Sequence, residues 1–486
     1  MTEVLIVGAG PAGLLLANEL RLAGVDTVLI ERHARRPDFC RGFNLNARAL
    51  DLLARRGLAG ELVAEGWQVP HAAFSGLPVT LGLPGAWTDH PYSLGIPQTR
   101  VEEVLERHAV ERGTDVRRGH ELRTLVQEDD GVVATVAAGN GEYRIRARYL
   151  VGCDGGRSTV RKQVGIAFPG TEARRFSLLG DVELAEPGAL AYGVTEGPGG
   201  AVLVIPRPGY VRVITADPQP PADRDAPFTL EQLQRAVDGA LGRHVALHSP
   251  RWLTRFGDAA RLAAEYLRGR VMLAGDAAHV HPPAGAIGVN VALDDAFNLG
   301  WKLAATVRGT APAHLLGTYH TERHAAGERV LANTRAQVLL GEAGERLAPL
   351  LDLLTRVAAH PDGNRAFAET VTGLDTRYDM YPAGEHPWLG RLVPDLALTG
   401  AAGPTGVAAL QAGGRGLLLD LAGPGALAGA AAPWKDRVDV VDAACPERPQ
   451  LGAVLVRPDG HAAWVHRDGP EGLRLALEHW FGAGMP

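Results

Sequence analysis

The stretch Val4-Leu5-Ile6-Val7-Gly8-Ala9-Gly10-Pro11-Ala12-Gly13 decides how the first part of the chain folds. Four consecutive apolar residues read as a short buried strand. From Pro11 to Ala23 the apolar residues Leu14, Leu15, Ala17 and Leu20 fall on one face of a helix. Thr27-Val28-Leu29-Ile30 is a second buried strand, and Glu31 ends it. Strand, helix and strand at this spacing make a parallel crossover unit. Each glycine of the connecting turn has a physical task. Gly8 permits the tight turn, Gly10 lets backbone approach a pyrophosphate, and Gly13 lets the helix pack closely on the strand. The helix start, with Ala12 and Gly13, offers free N–H groups and a positive dipole end to phosphate. Glu31 is placed to accept from ribose hydroxyls. A tight turn with no ligand needs only the glycines. The strand-turn-helix setting and Glu31 make a dinucleotide cradle the reading, without choosing between FAD and a nicotinamide cofactor.

Outward from this unit, the chain runs to 486 residues, which predicts two or three domains. Hydrophobic residues make up 46% and charged residues 21%, so a large core is expected rather than disorder. The net charge of -6 argues against a nucleic-acid surface or a polybasic membrane anchor. Cys40, Cys153 and Cys445 are far apart and form no Cys-x-x-Cys pair. Neither a disulfide framework nor a zinc site is supported, and reduced thiols in a cytoplasmic protein are expected. No basic leader precedes the first strand, and no apolar run is long enough to span a bilayer.

Further along, Val101 to Ala109 is patterned as a helix, and residues 131–137 and 143–149 pair as a hairpin around Gly139-Asn140-Gly141. Tyr149-Leu150-Val151 is another buried strand. Between about 172 and 264 the pattern changes to runs such as Ala201–Ile205 and Tyr210–Thr215, separated by Pro and Gly, which predicts an antiparallel sheet. Val271-Met272-Leu273-Ala274 returns to a parallel-sheet strand, and helices are expected from Asp294 to about Ala368. Thr399 to Gly416, rich in Gly, Ala and Pro, reads as a linker or loose loop. Strands at Leu417–Leu419, Ala453–Val456 and Ala462–Val465 and a helix at Leu473–Phe481 then form a small α/β domain.

Two further motifs follow buried strands: Cys153-Asp154-Gly155-Gly156-Arg157-Ser158 and Gly275-Asp276-Ala277-Ala278-His279. Alone, each is an ordinary turn. In this order with the glycine-rich turn, they resemble the signature of the single-component FAD-dependent aromatic hydroxylases, the group A flavoprotein monooxygenases. The likeness extends to Arg41 and Arg48, to Ile96-Pro97-Gln98, to His281-Pro282-Pro283-Ala284-Gly285 through Asn298-Leu299-Gly300-Trp301-Lys302, and to Trp464 in Arg457-Pro458-Asp459-Gly460-His461-Ala462-Ala463-Trp464. It covers essentially the whole chain and is strongest to the actinobacterial polyketide hydroxylases, including the angucycline type and rifampicin monooxygenase.

That resemblance implies a fold and a site. The fold is α/β: an FAD-binding Rossmann-like domain of the aromatic hydroxylase type (residues 1–171 and 265–395), an inserted antiparallel-sheet substrate domain (172–264), and a thioredoxin-like C-terminal domain (396–486). The last lacks Cys-x-x-Cys, which excludes dithiol chemistry there. The cofactors implied are bound FAD and transient NADPH or NADH. Beyond the motif residues, the resemblance assigns Arg32, Arg41, Gln98, Leu122, Asp154 and Pro283 to the flavin nucleotide, with Arg48 beside the flavin. It gives Asp276 to the ribityl chain and the N–H groups of Gly288, Val289 and Asn290 to the pyrimidine edge. It assigns no catalytic side chain and no metal. The implied reaction is oxygen transfer from a flavin C4a-hydroperoxide to a polycyclic aromatic, phenolic or quinonoid substrate roofed by the 172–264 sheet. The chain is expected as a monomer or homodimer that binds neither nucleic acid nor membrane.

The sequence departs from the family at the flavin-facing loop. Relatives usually carry Gly-Gly-Gln-Gly-x-Asn, whereas this chain has Gly285-Ala286-Ile287-Gly288-Val289-Asn290. If residue 286 takes a positive φ, its Cβ costs about 1 kcal/mol or more. The altered loop leaves open Baeyer–Villiger oxidation, epoxidation, ring rearrangement, or a flavin binder whose redox activity has decayed. A nicotinamide reductase without flavin is a further alternative. Arg32-His33-Ala34-Arg35-Arg36 reads as a solvated edge, and His279 with His281 lacks a third metal ligand.

Overall fold

The computed structural model describes residues 1–220, 226–341, 345–380, 385–401, 403–421, 423, 425, 427–466 and 471–485. The chain divides into two compact units: Met1–Pro169 together with Leu262–Pro486, and Gly170–Arg261.

The first unit opens with β1 (Thr2–Val7), α1 (Pro11–Leu22) and β2 (Thr27–Glu31). Next come α2 (Ala47–Ala54), α3 (Gln98–Glu111), β3 (Asp115–Arg118), β4 (His120–Glu128), β5 (Gly131–Ala138) and β6 (Gly141–Gly152). The second unit holds β7 (Phe176–Leu184), β8 (Gly193–Gly197), β9 (Gly200–Arg207), β10 (Tyr210–Ala216), α4 (Leu230–Leu241) and β11 (Leu247–Gly257). Its strands form one antiparallel sheet in the order β8-β9-β10-β7-β11, and α4 buries Leu233, Val237 and Leu241 in that unit's core.

The chain then returns to the first unit with β12 (Leu267–Arg268) and β13 (Val271–Leu273). The main sheet has the order β12-β13-β6-β1-β2-β3, with β4 and β5 branching from β6. β1 is parallel to both β2 and β6, and β13 is parallel to β6. This register pairs Val7 with Gly152 and with Ile30, and Gly152 with Leu273. Gly8, Cys153, Glu31 and Gly275 therefore all lie at the carboxyl ends of adjacent parallel strands, where open α/β sheets bind ligands.

Four helices follow: α5 (Gly288–Val307), α6 (Gly317–Gly341), α7 (Ala348–Ala359) and α8 (Pro361–Thr372). α5 starts before the expected Asp294. Glycines bring it close to α1: a Cβ on Gly300 would sit 2.5 Å from Glu19 Cβ, and one on Gly275 would touch both Ala12 and Ala292. The contacts 12 with 292 and 19 with 300 run in step, so the two helices start at the same end of the sheet. No helix among the described residues is long and apolar enough to cross a membrane.

The C-terminal part is a sheet ordered β15-β14-β17-β16-β18-β19, made of β14 (Ala397–Gly400), β15 (Gly403–Gly406), β16 (Gly416–Asp420), β17 (Val438–Ala444), β18 (Ala453–Val456) and β19 (Ala462–His466). α9 (Leu473–Phe481) buries Leu473, Leu477, Trp480 and Phe481 against it. The expected linker at 399–416 is corrected here. It contains the β14–β15 hairpin and a short helix, Val407–Leu410, whose Val407 is buried. Small residues that read as loose sequence instead pair edge to edge, and the β17 residues that pair with β14 come more than 40 residues later.

Within the first unit, the C-terminal segment is fastened to the earlier elements by a buried chain of alternating charges. Arg48 donates to both carboxylate oxygens of Asp294 at 3.0 and 3.1 Å. Arg323 donates to Asp294 at 2.6 Å and to Asp295 at 2.7 Å. Arg457 reaches both oxygens of Glu322, at 2.6 and 2.9 Å, and also pairs with Asp459. Lys302 donates to Glu322 at 2.7 Å. His461 joins the two halves, with Nε2 3.1 Å from Arg48 Nη2 and Nδ1 3.2 Å from Asp459. All these groups are buried, so each charge depends on its neighbours rather than on water.

The turn before α5 carries strain. Among the described residues only Ser249 and Ala286 are non-glycine residues with positive φ, and Ala286 sits at +52° directly after Gly285 at +72°. Two consecutive left-handed residues suit glycine, and the alanine Cβ is penalised there. Ala286→Gly should therefore stabilise the protein by up to about 1 kcal/mol, seen as a higher melting temperature or denaturant midpoint.

The network predicts acid sensitivity of a definite sign. Despite burial, which alone would raise them, Arg323 and Arg48 hold the Asp294 carboxyl down at about 2, and Arg457 and Lys302 hold Glu322 down at about 2. A depressed folded pKa stabilises above the unfolded value of about 4 and loses that stabilisation as pH falls toward 2. Denaturant midpoints should thus drop steeply between about pH 4 and 2. Glu322→Leu, which leaves Arg457 to Asp459 and Lys302 with the Asn298 amide but no paired carboxylate, should cost about 3–5 kcal/mol at pH 7 and flatten part of that acid limb.

Candidate functional site

A cavity of about 210 Å³ opens at the carboxyl end of β1 and β2. It is lined by Gly8, Gly10, Glu31, Arg32, Arg41, Gln98, Leu122 and Asp154 among the residues proposed from sequence. The backbone explains its shape. Gly8 has φ +110°, and a Cβ there would lie 2.3 Å from the Cys153 carbonyl oxygen. A Cβ on Gly13 would lie 2.0 Å from the Gly8 oxygen. Both positions are closed to any side chain. Gly10 differs, because a Cβ there would meet no protein atom within 4 Å. Its bareness is not required by protein packing and keeps the cavity wall low where another molecule can approach.

Gly10 also caps α1 without any side-chain hydrogen bond, and Leu14 N is the first to donate back, to Gly10 O at 3.0 Å. The preceding N–H groups of Ala12 and Gly13 lie in the first turn, where a helix offers no partner. Together with the helix dipole they suit an anion. Glu31 is held rigidly, accepting from Ala9 N and His33 N at 2.9 Å through one oxygen each. Each oxygen keeps a further lone pair for a hydroxyl donor. These features fit a pyrophosphate flanked by ribose, and thus a dinucleotide.

The opposite wall is cationic and acidic in alternation. Arg36 and Arg118 both pair with Glu106, and Arg118 Nε donates to it at 2.9 Å. Burial raises Glu102, whose Oε1 accepts from Gln98 Nε2 at 2.8 Å. The reading of 32–36 as a solvated edge is corrected for Arg36, which lines the cavity half-buried in this cluster. Arg118, His120, Glu102 and Arg157 line it too and were not singled out from sequence. Glu106, the partner of Arg36, lies 70 residues along the chain, so no local pattern marks the inward turn of Arg36.

Asp154 is spent on structure. Ser158 Oγ donates to it at 2.5 Å, and Thr159 N and Val160 N donate at 2.6 and 3.1 Å, which closes the start of a short helix. Burial raises its pKa in spite of these donors.

The remaining residues proposed from sequence lie outside this cavity. Ala12 and Gly13 are buried beneath it. Asp276 is exposed on the turn Gly275–Ala277, which is tied to β6 by Ala274 N donating to Gly152 O at 3.0 Å. Pro283 is exposed on the loop before α5, while Gly288 and Val289 open α5 itself, their N–H groups free of helical partners. Asn290 is corrected as an N–H donor to a ligand, because its N–H already donates to Ile287 O at 3.0 Å. Its side chain instead accepts from Asn46 N at 2.9 Å and donates to Asn44 O and Ala286 O, both at 3.3 Å. Arg48 is likewise corrected, since it is committed to Asp294 and His461.

His281 was discounted as a metal ligand and belongs to this region in another way. Its Nδ1 lies 2.8 Å from Pro282 O, so that nitrogen carries the proton and Nε2 is an acceptor. Nε2 lies 3.7 Å from where a Cβ on Gly288 would stand. Burial lowers the imidazole's pKa. Among the described residues no cluster could hold a metal ion.

Comparisons with known proteins agree with this geometry. A family described as FAD binding domain matches residues 1–334, and one described as aromatic-ring hydroxylase, C-terminal, matches 386–484. The chain is 42% identical to a 12-dehydrotetracycline 5-monooxygenase/anhydrotetracycline 6-monooxygenase of Streptomyces rimosus subsp. rimosus, covering 99% of both. It is 41% identical to a rifampicin monooxygenase of Streptomyces venezuelae, again over 99% of both. The crystal structure of CabE, an aromatic hydroxylase from angucycline biosynthesis, superposes with a TM-score of 0.94 at 40% identity over 99% of both chains. A cradle shaped for a dinucleotide, within a chain that matches along its whole length, places this protein in the family of FAD-dependent aromatic-ring hydroxylases.

Proposed function

We propose that this protein is a single-component monooxygenase that uses NADPH or NADH and O₂ to hydroxylate a polycyclic aromatic substrate of the polyketide type. The observation that carries the reading is the open face of Gly10 between the start of α1 and the Glu31 carboxylate. It accompanies full-length similarity to enzymes named for tetracycline, rifampicin and angucycline chemistry. The balanced reaction takes up O₂, one nicotinamide hydride and one proton. It leaves a hydroxyl on the ring, one water and oxidised nicotinamide. Bound FAD supplies the two-electron reduction and the activation of O₂.

The protein's part is binding, orientation and electrostatics. The first-turn N–H groups of Ala12 and Gly13 receive the pyrophosphate, with Gly8 and Gly10 keeping backbone out of its way. Glu31 accepts from the ribose of the adenosine half, and Arg32, Arg41, Gln98 and Leu122 line that half. Asp276 takes the ribityl hydroxyls. The N–H groups of Gly288 and Val289, with the α5 dipole behind them, face negative charge at the pyrimidine edge, a favourable placement for a helix start. Pro283, exposed on the loop before α5, would border the ring. Asn290 contributes through its side chain, holding the 44–46 segment against the loop. Ile287, in place of a polar residue, is itself buried and makes the inner side of that loop apolar.

The purified protein, reconstituted with excess FAD and desalted, should retain a yellow visible spectrum. Polycyclic phenols should then stimulate NADPH or NADH oxidation, with a product heavier by one oxygen atom. A protein that stays colourless would overturn the reading. A product whose structure shows oxygen insertion beside a carbonyl, epoxidation or ring rearrangement would redirect it to those chemistries. Glu31→Gln, which weakens a charge-assisted hydrogen bond, should raise the FAD dissociation constant about tenfold or more.

A further inference from the structure

The conspicuous C-terminal turn Arg457-Pro458-Asp459-Gly460-His461 has no part in the function described so far. It lies far along the chain from the glycine-rich motif, yet its side chains enter the core beneath the cofactor loops. Arg48 Nη2 can only donate, so His461 Nε2, 3.1 Å away, must accept. The imidazole proton therefore sits on Nδ1, which faces Asp459 Oδ1 at 3.2 Å. Arg48 thus requires that tautomer, and the Asp459 carboxylate, beside Nδ1 but outside hydrogen-bond geometry, favours it by charge. The Tyr378 ring rests on His461, with centroids 4.5 Å apart, and its hydroxyl accepts from Arg323 at 2.9 Å.

Arg48 transmits this hold in two directions. It lies in the first turn of α2, whose N-cap Asn46 donates its N–H to Asn290 in the first turn of α5. It also grips Asp294 through both oxygens. The next residue, Asp295, accepts from the Gly275 N–H at 2.9 Å and lies 2.7 Å from His279 Nε2. Gly275 immediately precedes Asp276. A continuous run of buried donors and acceptors thus joins His461 to both loops assigned to the ring half of FAD.

We propose that the Asp459–His461 pair is a positioning element for flavin binding, fixing Arg48 and through it the α5 start and the Gly275–Asp276 turn. This rests on the reading of those loops as the flavin site. Replacing the imidazole by an apolar group leaves a buried guanidinium N–H without an acceptor. Arg48 must then tilt toward another oxygen, and Asp294 with the α5 start shifts with it. Glutamine keeps an acceptor at the right reach.

The test measures FAD dissociation constants and the visible circular dichroism of bound flavin for wild type, His461→Leu and His461→Gln, with melting temperatures of each apoprotein. His461→Leu should bind FAD about tenfold more weakly with an altered flavin dichroism, and His461→Gln should stay within about threefold of wild type. Wild-type affinity and dichroism in His461→Leu, with only a lower apoprotein melting temperature, would show plain structural support and overturn the proposal. Equal loss in both variants would overturn it too. Should His461→Leu fail to fold, Asp459→Asn decides: weakening of about threefold or more supports the proposal, and unchanged affinity overturns it. Wild type that fails to bind FAD would instead refute the flavin reading itself.

Discussion

Two adjacent carboxylates on α5, Asp294 and Asp295, are buried side by side, and the rest of the structure depends on how they are neutralised. Such a pair would repel itself and drive its own protonation in an apolar interior. Here Arg323 bridges both and Arg48 takes the outer face of Asp294. Asp295 is thereby free to organise Gly275 and His279. The ionic bonds are weak evidence for net stability, since desolvation offsets much of their attraction. What they impose is geometry: α2, α5, α6 and the C-terminal turn satisfy one another's buried charges in the arrangement observed.

The same economy governs the glycine-rich turn. Gly8 and Gly13 are bare because protein backbone presses on them, whereas Gly10 is bare with nothing pressing on it. The contrast separates glycines that serve the fold from the one that serves a guest. The flavin-side loop shows the opposite tendency. Ala286 accepts left-handed backbone that glycine would take without strain, and the side chains of Asn290 and Asn44 tie its carbonyl down. Local strain of about 1 kcal/mol is affordable where neighbouring hydrogen bonds determine the backbone.

His281 illustrates how a residue's meaning changes with context. As a sequence pair with His279 it suggested only a failed metal site. In the folded chain the two imidazoles have different tasks, one locked to Asp295 and the other presenting an acceptor near the start of α5.

Read alone, the sequence determined the α/β class and the strand-turn-helix at residues 4–31. It also determined the hairpin near 140, the antiparallel character of 172–264, and membership of a flavin-dependent hydroxylase family. The structural features are matters of local periodicity and of backbone freedom at glycine, which neighbouring residues fix between themselves, whereas the family was read from the resemblance of motifs along the whole chain. It did not show that Arg48 is held by Asp294 and His461, that Arg36 turns inward to Glu106, that Asn290 acts through its side chain, or that the small residues after 397 form a hairpin. The first three depend on partners tens to hundreds of residues away, and the hairpin, whose own strands are adjacent in sequence, pairs along its edge with β17 more than 40 residues later. A charged or amide side chain carries no periodic signal of its partner, because only the packed chain decides which opposite charge lies within reach once water is excluded.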